Sequence, residues 1–102
     1  MAEQAVIVHF DYGSKDLSRL FELEDKLGSV IEAADAGEYD GNEVAMDGSD
    51  GFLYMYGPDA DRLADVIMPE LLATPWMKGA RLTKRYGPPG EGVREAIVTV
   101  GG

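Results

Sequence analysis

Two groups of residues in this chain have side chains that could do chemistry. One is His9 together with Phe52, Tyr54 and Tyr56, the alternating aromatics of GFLYMY. The other is Asp40, Glu43, Asp47 and Asp50, crowded into GEYDGNEVAMDGSDG. A histidine beside tyrosines on an open sheet could support acid–base chemistry without a metal. Clustered carboxylates could hold a divalent cation or meet a basic partner. His9 is the only histidine and there is no cysteine. Two-histidine metal sites, thiolate nucleophiles, disulfides and Cys-ligated zinc or iron–sulfur centres are therefore excluded.

Each sharper reading competes with a plainer one. An EF-hand loop needs glycine at its sixth position and glutamate at its twelfth. A loop opening at Glu38 has Glu43 and Ser49 there, so turn chemistry accounts better for the acids. GFLYMY resembles the aromatic strand of RNA-recognition motifs, but Asp50 stands where that motif carries Lys or Arg. The chain also carries a net charge of −10, which opposes phosphate binding. Neither GPPGEG nor DGSDG has the lysine and strand–loop–helix setting of a phosphate loop. No cofactor, nucleic acid or membrane partner is expected. The catalytic reading of His9 is less favoured than a packed or surface histidine.

The elements that must position these residues follow from periodicity. Residues 5–12, AVIVHFDY, read as a strand. Leu17, Leu20, Phe21, Leu27, Val30, Ile31 and Ala34 give the next segment a helical stripe, capped by Ser14 or Asp16 and stopped at Gly37. A strand follows within residues 42–46, starting as early as Glu38. DGSDG is its hairpin loop and FLYMY the return strand. Period two puts Phe52, Tyr54 and Tyr56 on one face, with Leu53 and Met55 on the other. Gly57 as N-cap and Pro58 as first helical residue open a second helix, with Asp59 and Asp61 at its positive end. Ala60, Leu63, Ala64, Ile67, Leu71 and Leu72 are its buried stripe, and Pro69 is expected to kink or restart it. Residues 80–86 and 93–100 read as strands joined by GPPGEG, and Gly101-Gly102 as a frayed end.

The order β-α-β-β-α-β-β predicts a single α+β domain over residues 1–102. It is a ferredoxin-like βαββαβ sandwich with an extra C-terminal strand. Right-handed crossovers give sheet order 5-4-1-3-2 with both helices on one face. Ile7 and His9 are then expected beside the three aromatics on the open face, a patch that monomers rarely leave uncovered. A homodimer through that face is the expected assembly, and the apolar edge strand REAIVTV offers a second route.

Charge is unevenly spread. Residues 35–65 hold nine acids against Arg62, and residues 76–95 hold five bases against two acids. Such runs are mostly solvated faces. The opening MAEQAVIVHF lacks a basic region, and no apolar stretch approaches the ~20 residues of a membrane span. A cytoplasmic location is the expectation.

The run YMYGPDADRLADVIMPELL…KGARLTKRYGPPG resembles a family of small, uncharacterised bacterial proteins with a ferredoxin-like fold. The resemblance implies a bacterial cytosolic protein and brings no activity or site residues with it. The leading functional expectation is a non-enzymatic binding or regulatory module, self-associating through the open face. Two alternatives stand beside it. One is an acidic immunity-type inhibitor that meets a basic protein through Asp40, Glu43, Asp47 and Asp50. The other is a small cofactor-independent enzyme acting over the open face.

Overall fold

The computed structural model describes residues 3–90 and 92–101. The elements run β1 (Gln4–Asp11), α1 (Ser18–Ala33), β2 (Glu38–Val44), β3 (Asp50–Gly57), α2 (Ala60–Leu72), a 3-10 turn (Pro75–Met77), β4 (Arg81–Arg85) and β5 (Glu95–Thr99). The five strands form one antiparallel sheet in the order β2-β3-β1-β4-β5, as the sequence predicts. Position 91 of the GPPGEG loop and position 102 of the terminal glycine pair lie outside the described residues.

Strand alternation divides the sheet into two faces. Val6, Val8 and Phe10 of β1, Leu53 and Met55 of β3, and Leu82 of β4 are fully buried beneath the helices. Above them lie Leu20, Leu23, Leu27 and Ile31 of α1 and Ala60, Leu63, Ala64, Ile67 and Leu71 of α2. Burying one such leucine stabilises by about 1.5–3 kcal/mol, and this layer carries most of the fold's stability.

The α1 stripe differs from the predicted one. Leu23 is buried, whereas Phe21 is 53% exposed. Phe21 follows Leu20 by one residue, about 100° round the helix, which takes it off the face centred on Leu20, Leu27 and Ile31. Gly37 does not end α1. Asp35 adopts φ +50°, and Ala36 N–H bonds Ile31 O while Asp35 N–H bonds Glu32 O. That pairing is a Schellman ending with aspartate in the left-handed position. At the other end Leu17 holds the N-cap position without a side-chain bond, and Asp16 Oδ1 instead accepts from Ser18 N–H.

The start of α2 is also one residue pair later than predicted. Asp59, not Gly57, is the N-cap, its Oδ1 accepting from Arg62 N–H at 3.2 Å. α2 runs through Pro69 without a restart, and Pro69 O still accepts from Ala73 N–H. Pro69 faces solvent, so the helix loses one N–H donor where water can satisfy the freed carbonyl.

The β2–β3 hairpin turns earlier than expected. β2 ends at Val44, leaving Met46 fully exposed, and β3 begins at Asp50. Asp47 Oδ1 accepts from Ser49 N–H, and Ala45 N–H bonds Asp50 O. The tip then folds back onto the β1–α1 connection through Gly13 N–H to Gly48 O at 2.7 Å. Gly48 has φ +75°, and a Cβ there would lie 2.1 Å from Ser14 O, so only glycine fits.

Candidate functional site

The open face can be read directly from the strand register, because directly paired residues in an antiparallel sheet share a face. Three rows cross it. The first is Glu38, Tyr56, Ala5, Arg85 and Glu95; the second is Gly41, Tyr54, Ile7, Thr83 and Ile97; the third is Glu43, Phe52, His9, Arg81 and Thr99. Asp11 and Asp50 pair at the β1–β3 end of the same face. The structure thus brings together His9, Phe52, Tyr54 and Tyr56.

The rings of His9, Phe52 and Tyr54 form an ordered stack. The His9 and Phe52 rings lie 4.4 Å apart and within 10° of parallel, and Phe52 and Tyr54 lie 6.2 Å apart at 17°. Cross-strand pairing of His9 with Phe52 sets the first contact. Spacing of two along β3 sets the other. All three residues are half-buried, with the His9 side chain 28% exposed.

Polar partners fix the imidazole at both nitrogens. Arg81 donates through a guanidinium N–H to His9 Nδ1. A guanidinium can only donate, so Nδ1 is the acceptor. Nε2 then carries the proton, which Asp50 Oδ2 accepts at 2.8 Å. With one nitrogen occupied by arginine and the other already protonated, the ring has no free lone pair to act as a general base. Next to it Tyr54 donates to Glu43 Oε1 at 2.9 Å. Burial, followed by the Glu43 carboxylate, pushes the Tyr54 hydroxyl above the usual tyrosine range.

The four predicted acids do not act as one patch. Asp50 is bound to His9 and Glu43 to Tyr54, both on the open face. Asp47 is held in the hairpin turn by Ser49, whose hydroxyl and N–H keep its carboxyl below the ordinary range. Asp40 sits exposed at the β-bulge between Tyr39 and Gly41. Asp61 also does more than complement a helix dipole. It accepts from the Tyr86 hydroxyl at 2.6 Å and pairs with Lys84 Nζ at 3.2 Å, tying α2 to β4. Those two partners, Tyr86 first, hold its carboxyl below the usual range.

Sequence reasoning missed Glu38, Arg81 and Arg85 as members of the open face. The available signal was the alternation of Arg81, Thr83 and Arg85 with Leu82 along β4. On the edge of the same sheet, Ile97 is 67% exposed on the open face, and Val98 is exposed on the other.

Away from this face, a cleft of about 540 Å³ lies between α1 and the 3-10 turn, with Arg19, Lys26 and Trp76 in its lining. It shares no residue with the His9 stack. No helix among the described residues is long and apolar enough to cross a membrane.

Comparison with known proteins adds little. No family model matches the chain, and no curated protein matches it. Among solved structures, a Sulfolobus solfataricus protein described under the family model DUF54 is similar over 96% of this chain and 88% of its own, at 17% identity and a TM-score of 0.36. A score that low carries no argument about function.

Proposed function

We propose that the chain is a non-enzymatic binding or regulatory module that self-associates through the open sheet face. The observation that carries this reading is the half-exposed His9–Phe52–Tyr54 stack on the face opposite both helices. Aromatic rings held rigid by neighbours, with polar tips still wet, are typical of interface anchors. The satisfied nitrogens of His9 favour this over the enzymatic alternative, since its polar contacts orient the ring rather than leave it reactive. The internal bonds of Asp47, Asp50 and Glu43 favour it over an acidic inhibitory patch. A cytoplasmic, bacterial setting is part of the same proposal, and the sequence resemblance supports it.

The test is the solution mass of the wild type and of Tyr54→Ala combined with Tyr56→Ala, by light scattering after size exclusion. A wild-type dimer that the double variant converts to monomer supports the reading. A monomeric wild type at high concentration refutes it.

A further inference from the structure

The self-association proposed above leaves open how two copies would meet, and the charge layout of the three rows narrows it. Both outer rows carry glutamate on β2 and arginine on β4: Glu38 with Arg85, and Glu43 with Arg81. Between them, on β3 and β1, lie the aromatic and aliphatic residues. The apolar centre of the face is therefore the seam between β3 and β1, with acids one strand to one side and bases one strand to the other.

Two sheets packed on like faces must be related by a two-fold axis lying in the plane between them. If that axis ran across the strands through the middle row, each column would face its own copy. Glu38 would meet Glu43 of the second copy, and Arg85 would meet Arg81, so like charges would oppose each other in both columns. If the axis runs along the β3–β1 seam, rows are kept and columns exchange. Glu38 then faces Arg85 and Glu43 faces Arg81, each pair formed twice; the one like-charge meeting is at the end of the seam, where Asp11 faces an Asp50 already bonded to His9. Tyr54 faces Ile7 and Phe52 faces His9 at the centre. Arg81 and Glu43 keep capacity for this, since a guanidinium has five donors and a carboxylate a second oxygen.

We infer that the partner of the open face is a second copy of this chain, related by a two-fold axis along the β3–β1 seam, with Glu38 and Glu43 of each copy paired to Arg85 and Arg81 of the other. This rests on the self-association reading. Within one chain Glu38 and Arg85 are three strand spacings apart, roughly 14–15 Å, too far to pair. Any coupling between them is therefore between copies.

The experiment compares sedimentation equilibrium of the wild type, Glu38→Arg, Arg85→Glu and the double exchange, with thermal melts to confirm that each folds. Neither position takes part in the His9 or Tyr54 bonds, and Glu38 lies exposed on an edge strand. Each single variant is expected to raise the dimer dissociation constant about tenfold or more, and the double exchange to return it close to wild type. Glu38→Arg adds two to the net charge, taking −10 to −8. If only net charge mattered, that variant would associate more strongly, so weaker association marks a specific contact. A dimeric wild type with Glu38→Arg unchanged or stronger, or with no restoration in the double exchange, overturns the pairing and leaves the face as the interface. A wild type that is monomeric at every concentration overturns the self-association reading and the pairing together.

Discussion

The two faces of one sheet differ in kind although both are rich in large side chains. Under the helices, Val6, Val8, Phe10, Leu53, Met55 and Leu82 are fully buried and make no polar contact. On the open face, His9, Phe52, Tyr54 and Tyr56 carry rings beside Ile7 and Ile97, and charged residues flank the apolar seam on both sides. Aliphatic side chains have no polar tip to keep wet, so they suit permanent burial. Stacked rings with hydroxyls and an imidazole tolerate water and still bury large area when covered. One face holds the fold, and the other is the face that the proposal above has a second copy cover.

Leu53→Ala breaks the comparison most strongly on the helix side. A buried leucine removed from such a layer is expected to cost about 2–5 kcal/mol of unfolding free energy, read by urea denaturation. Tyr54→Ala with Tyr56→Ala acts on the other face. It is expected to weaken association by about 2–4 kcal/mol while changing the monomer's stability far less, which sedimentation and denaturation together would separate. Equal losses of stability from both faces would remove the distinction.

Smaller effects sharpen it at the helix ends. Asp59→Ala removes the side-chain cap of α2 and should cost about 1 kcal/mol of stability without touching association. At Asp61 the expected effect is a pH dependence. Its carboxyl is held below the ordinary range by Tyr86 and then Lys84, so it contributes stability above its unfolded pKa. That contribution is lost as pH falls through its lower folded value. Tyr86→Phe should shift the Asp61 titration upward, as followed by carboxyl NMR, and lessen the loss of stability at acid pH. An unmoved titration would mean that Lys84 alone sets it.

Much of this fold was legible because periodicity is local. Alternation in FLYMY separated Phe52, Tyr54 and Tyr56 from Leu53 and Met55, and the element order dictated the sheet order. Phe21 was misplaced because a stripe drawn by residue type admits a neighbour 100° off its centre. The end of α1 was misread because glycine at position 37 looked like the stop. The chain instead turns at Asp35, where an aspartate tolerates the left-handed conformation. The polar partners of the stack were not legible at all. Arg81, His9 and Asp50 come from three strands, and only their register brings them within bonding distance. Both parities of β1 are largely apolar, so the expectation that Ile7 and His9 join the aromatics rested on alternation alone, and it is the register that places them there.

The central claim is that the open face is where copies of this chain meet. It is tested most directly by following backbone amide and aromatic NMR shifts of the wild type from micromolar to millimolar concentration. Concentration-dependent shifts are expected at His9, Phe52, Tyr54, Tyr56 and the flanking charges of β2 and β4, with the helices unmoved. Shifts confined to the β5 edge or to α1 and α2, or no concentration dependence at all, would contradict it.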